Sequence, residues 1–196
     1  MNIKIRKPMK HRTNLPVLFF MVSILAGTHA AAQKIYTKNG SISFFSKSPL
    51  EDITARNNEV MSVINQQTGE LQFSVLIKSF RFKKRLMEEH FNENYMESDK
   101  YPKAIFKGII ADLSKVNFNA DGSYPVTVNG DLTLHGITNK LTTKGNILIK
   151  NGIVNAQSTF NITLADYKIN IPAVVKNNIS PTIAVSVGCL YTQKIK

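Results

Sequence analysis

The sequence predicts an all-β protein, a barrel of about eight antiparallel strands with one inserted amphipathic helix. Three observations carry that prediction. Apolar and polar residues alternate with period two, most clearly where Val126, Val128, Leu132 and Leu134 share one face and Thr127, Asn129, Asp131 and Thr133 the other. Turn-forming residues recur at short intervals, which favours sequential hairpins over parallel crossovers. Helix formers are concentrated in a single stretch. Long strands joined in this way remove their exposed edges by closing up-and-down into a barrel; a sandwich is the alternative, because period and turn spacing are common to both.

In chain order, Lys34 to Lys38 and Ser41 to Ser46 read as the first two strands, with Asn39-Gly40 as a tight hairpin turn and Pro49 ending the second. Asp52 to Arg56 and Glu59 to Asn65 follow, around a turn at Asn57-Asn58. Gln67-Thr68-Gly69 then leads into a strand from Glu70 to Phe82, with Leu71, Phe73, Val75 and Ile77 on one face. Lys83 to Glu97 is the helix, its apolar stripe formed by Phe82, Leu86, Phe91 and Tyr95 at spacings of four or five. It packs on the barrel as a plug, closes the mouth as a lid, or does both. Ser98 to Pro102 stops it. Strands resume at Ala104 to Leu113, Tyr124 to His135 and Ile137 to Lys150; Asn151-Gly152 turns the chain into Ile153 to Phe160. A Pro- and Asn-containing connection, Ala165 to Ser180, precedes the last strand, Thr182 to Tyr191.

The first thirty-two residues have a different character. Lys4, Arg6, Lys7, Lys10 and Arg12 precede an uncharged apolar run from Leu15 to Gly27, and Ala30-Ala31-Ala32 supplies small residues for cleavage. The pattern predicts a cleaved signal peptide over 1–32 and a single mature domain over 33–196; an apolar run of about thirteen residues is too short for a hydrocarbon core that needs about twenty. The formal charge of +12 falls to +7 once those five basic residues are set aside. The remaining lysines are spread singly, without the aromatic interleaving of a nucleic-acid surface, so no nucleic-acid partner is expected. Transient contact with a membrane surface and a homodimer are both compatible with such a chain.

No catalytic constellation is visible. His90 and His135 are the histidines beyond residue 32, and neither has motif company. His90 reads as a helix-face residue making a polar contact, His135 as a turn residue bonding the backbone. The carboxylates Glu88, Glu89, Glu93, Glu97 and Asp99 crowd the helix beside Lys83, Lys84 and Arg85, as a solvated face. The lone Cys189 reads as a small buried hydrophobe. No metal site, phosphate loop, dinucleotide fingerprint or cofactor is expected, and the chain is expected not to be an enzyme.

Two stretches carry a family likeness. Glu88-Glu89-His90-Phe91-Asn92-Glu93-Asn94-Tyr95-Met96-Glu97-Ser98-Asp99-Lys100-Tyr101-Pro102-Lys103-Ala104-Ile105-Phe106 resembles the helix-then-strand signature of YceI-like proteins, and Gly130-Asp131-Leu132-Thr133-Leu134-His135-Gly136-Ile137-Thr138 is similar to the same family's second signature. The resemblance implies a lipocalin-like eight-stranded antiparallel β-barrel, exported to the periplasm, that encloses a polyisoprenoid, isoprenoid quinone or similar long-chain lipid as carrier or reservoir. The expected lining is Phe44, Phe73, Val75, Ile77, Phe106, Leu132, Leu134 and Phe160, with Leu86, Phe91 and Tyr95 as the lid. The alternative is a ligand-free interaction module whose barrel is filled by its own side chains.

Overall fold

The computed structural model describes residues 34–195; the expected signal peptide lies outside them. Eight long strands form the wall: β1 (Lys34–Ser46), β2 (Ile53–Asn65), β3 (Glu70–Leu76), β5 (Lys103–Ile110), β6 (Gly122–Leu134), β7 (Ile137–Lys150), β8 (Ile153–Thr163) and β9 (Thr182–Tyr191). Two short strands, β4 (Arg81–Phe82) and β10 (Gln193–Ile195), pair with β2 and β1. Each long strand is antiparallel to the next, and β1 pairs with both β2 and β9, so the sheet is a closed up-and-down barrel. The helix α1 (Arg85–His90) continues as one π-helical turn, Phe91–Tyr95, between β4 and β5.

Several sequence expectations need correction. Asn39-Gly40 and Asn57-Asn58 are not turns. They are facing irregularities within β1 and β2, whose register shifts between Thr37 and Gly40 and again between Gly40 and Ile42. A Cβ on Gly40 would lie 2.4 Å from the Cys189 sulfur, so glycine is needed for close approach and not for a turn. Buried Asn57 holds the other side, its Nδ2 donating to the Leu76 carbonyl (2.9 Å) and its Oδ1 accepting from the Glu59 N–H (2.8 Å). The true β1–β2 connection is Lys47 to Asp52, shaped by Ser48 Oγ, which donates to the Glu51 carbonyl at 2.7 Å. The strand expected from Glu70 to Phe82 is broken by a 3-10 turn at Ile77–Ser79.

One ladder stops short. β7 and β8 pair only from Lys150–Ile153 up to Gly145–Ser158, leaving Ile137 to Lys144 of β7 and Thr159 to Thr163 of β8 without backbone bonds to each other. Side chains bridge the divergence, Thr143 Oγ1 to Ser158 Oγ at 2.9 Å and Asn139 Nδ2 donating to the Asp166 carbonyl at 2.7 Å.

The two barrel ends differ in what fills them. The end carrying the β2–β3, β5–β6 and β7–β8 turns is packed by Ile35, Val116, Ile149, Val154, Cys189 and Tyr191, all buried. Burial holds the Tyr191 hydroxyl far above its ordinary titration range, and it pairs with Ser62 Oγ at 2.6 Å; burial likewise pushes the Cys189 thiol up to about 12. The opposite end carries the helical segment, the β1–β2 loop and the β8–β9 connection, and encloses the hollow.

Candidate functional site

The hollow is built by the inward side chains of the upper half of the wall. Period two places Phe73, Val75 and Ile77 from the β3 segment, Phe106 from β5, Leu132 and Leu134 from β6, and Phe160 from β8 around one cavity of about 370 Å³, with Phe44 of β1 among them. That volume is in the range of roughly 300–1,000 Å³ typical of small-molecule sites, and far exceeds the packing defects of an ordinary core. Small residues make the room. Gly145, Ala156, Ser158 and Thr143 line it on β7 and β8, where the closed end has Ile149 and Val154.

A cluster of phenylalanines lies beneath the helical segment. The Phe91 ring packs 5.5 Å from Phe44, 5.6 Å from Phe80 and 5.1 Å from Phe82, so the segment is anchored by aromatic contacts to β1 and β4. Tyr95 and Met96 pack beside Leu132, Leu134, Tyr167 and Ile169. The π turn brings the Met96 N–H to the Phe91 carbonyl at 2.9 Å, widening the helix so that Phe91, Tyr95 and Met96 all face the barrel. Plug and lid are one structure here: the segment packs on the barrel and covers part of its hollow.

Leu86 is the correction at the site. It is exposed and does not line the cavity; Met87 and His90 do. The reason is helical phase. A spacing of five residues puts Leu86 about 140° from Phe91, whereas Met87, four residues before Phe91, is on its face.

Polar groups are confined mainly to the rim and to β7 and β8. Glu51, His90 and Asn178 line the cavity from three segments at its mouth. His135 lies just outside, at a positive φ of 50°, its Nδ1 donating to the Tyr167 carbonyl at 3.1 Å and its Nε2 3.3 Å from the Glu97 carboxylate. It is a turn residue bonding the backbone, as the sequence indicates. Among the described residues no group of three His, Cys, Asp or Glu side chains is placed to hold a metal, and no helix is long and apolar enough to cross a membrane.

The sequence reading passed over Ile183, Val185 and Val187, although their alternation along β9 is plain, and over Val175 and Ile179, which reach the cavity from a connection with no periodicity to announce them.

A family model, the YceI-like domain, matches residues 28–189. The chain belongs to this family. The YceI-like fold is also that of a polyisoprenoid binding domain from Saccharophagus degradans implicated in plant cell wall breakdown, with a TM-score of 0.70 at 19% identity over 82% of this chain and 97% of that one. BcnA of Burkholderia cenocepacia gives 0.65 at 14% identity, covering 79% and 96% of the two chains. A YceI protein of Campylobacter jejuni gives 0.56 at 13% identity, covering 76% and 89%. No curated protein matches this YceI-like chain.

Proposed function

We propose that this YceI-like protein is exported and encloses one long-chain lipid, of the polyisoprenoid or isoprenoid-quinone type, in the hollow half of its barrel as a carrier or reservoir. The observation that carries the reading is the cavity itself, about 370 Å³ and walled almost entirely by apolar side chains. A slender hydrocarbon chain buried there gains about 25 cal/mol for each Å² of apolar surface removed from water, enough for retention without a charged anchor. Glu51, His90 and Asn178 at the mouth place polar groups where the head of an amphiphile would emerge. The polyisoprenoid binding attributed to the Saccharophagus domain supports the ligand class, and the basic-then-apolar start of the sequence supports export.

Purification without detergent, organic extraction and mass spectrometry test the reading. A single long-chain isoprenoid in stoichiometric amount is expected. Repeated recovery of empty protein that also refuses added polyprenol or quinone would overturn it in favour of a ligand-free interaction module. Phe73→Asp or Leu132→Asp puts a carboxylate into the hollow, where an unpaired charge is heavily penalised, and is expected to abolish retention. Lys150→Ala, on the outer face of β7, is expected to leave it intact.

A further inference from the structure

The mouth of the cavity is ringed by apolar side chains that point away from it. Among the described residues the three most exposed large apolar side chains are Val174 (91%), Leu50 (69%) and Leu86 (61%). They lie on three different segments, the β8–β9 connection, the β1–β2 loop and α1. Each is followed directly by a residue that lines the cavity: Val175, Glu51 and Met87. Lys84 Nζ reaches Glu51 Oε1 at 2.6 Å, and the Ser180 N–H donates to Ser46 Oγ at 2.9 Å, so the segments are tied to one another around the opening. The remaining exposed apolar side chains are less exposed and distributed over the strands.

The same ring also carries free cations. Lys47, Lys83 and Lys176 flank the three apolar tips and have no carboxylate partner among the described residues, whereas Glu51, Glu88 and Glu89 on these segments are each paired with a basic side chain, leaving Asp52 and Asp166 as the acids there without one. Separate apolar tips interspersed with free cations are the features of a surface that seats into an anionic headgroup layer, the tips reaching the acyl boundary while lysine ammoniums meet phosphates.

We infer that the mouth rim docks on an anionic phospholipid bilayer, with Leu50, Leu86 and Val174 inserted and Lys47, Lys83 and Lys176 on the headgroups. This rests on the lipid-binding reading and adds the place of exchange. A rim seated in the bilayer joins the hollow to the acyl region, so an apolar chain passes between them without crossing water.

The test reads position instead of bulk binding, so that the apolar run at Leu15–Gly27 does not decide it. The full chain is labelled with an environment-sensitive fluorophore at Leu86→Cys, at Val174→Cys, or at Asn151→Cys in the β7–β8 turn of the packed end; buried Cys189 is protected from the label. Vesicles of equal parts phosphatidylglycerol and phosphatidylcholine, carrying chain-brominated lipid as quencher, are added. Both rim probes are expected to be quenched and the Asn151 probe not, with K47Q/K83Q/K176Q weakening rim quenching about fivefold for each lysine removed. Equal quenching at both ends, rim quenching undiminished on pure phosphatidylcholine, or rim probes that respond to protein concentration in the absence of vesicles, which marks a contact between copies, would each overturn the docking surface. Extraction of bound lipid in vesicle-free buffer reports separately on the cavity. A chain-loaded protein with unquenched rim probes loses only the docking inference, and a docked protein that never holds a chain loses the lipid-binding reading.

Discussion

The two halves of this barrel share eight strands and one inward periodicity, yet one is filled and the other hollow. At the packed end Ile35, Ile149, Val154, Cys189 and Tyr191 meet across the axis; along the same β7 and β8, farther toward the mouth, the inward positions include the small Gly145, Thr143, Ala156 and Ser158 before Leu141, Phe160 and Ile162 resume. Side-chain volume, not strand number, separates core from container. An eight-stranded barrel has an interior just wide enough to be filled by its own side chains or to hold one small ligand, and this chain does the first at one end and keeps room for the second at the other.

The comparison can be broken most sharply at the filled end. Ile149→Ala removes a side chain only 2% exposed and is expected to cost about 3 kcal/mol in denaturant unfolding, while the stoichiometry of extracted lipid in the folded fraction stays unchanged. Alkali attacks the same end. The Cys189 thiol titrates near 9 when exposed and near 12 in the folded barrel, so the unfolded chain loses its proton first. Stability is therefore full below pH about 9 and falls by up to about 1.4 kcal/mol per pH unit as pH rises toward 12, Tyr191 acting in the same direction; a pH series of unfolding midpoints, with Cys189→Ser removing the thiol's share, checks the sign. Filling the hollow sharpens the contrast from the other side. Ala156→Leu adds bulk where there is space, is expected to shift stability by less than about 1 kcal/mol in either direction, and reduces bound lipid measured by extraction.

The wall was legible in the sequence because half-buried strands write their faces every second residue. Leu71, Phe73, Val75 and Ile77, and then Val126, Val128, Leu132 and Leu134, line the cavity as their alternation says. Legibility failed where one signal serves two geometries. Asn39-Gly40 and Asn57-Asn58 have turn composition, but each lies in a strand, where one supplies a missing Cβ and the other a side-chain bridge. Leu86 belonged to the apolar stripe only if a spacing of five counts as one helix face, which 3.6 residues per turn forbids. The small residues that open the hollow leave no hydrophobic mark, so its existence needed the strands in place.

The unfinished ladder between β7 and β8 bears on mechanics. A fully paired cylinder resists dilation, since widening it stretches backbone hydrogen bonds all the way round. Here the circumference above Gly145 and Ser158 is fastened by hydroxyls and an amide, with no strand pairing across the gap. Widening the upper wall between these two strands therefore breaks side-chain bonds alone, like opening a sleeve left unstitched at the cuff, whereas widening the base breaks backbone pairs as well.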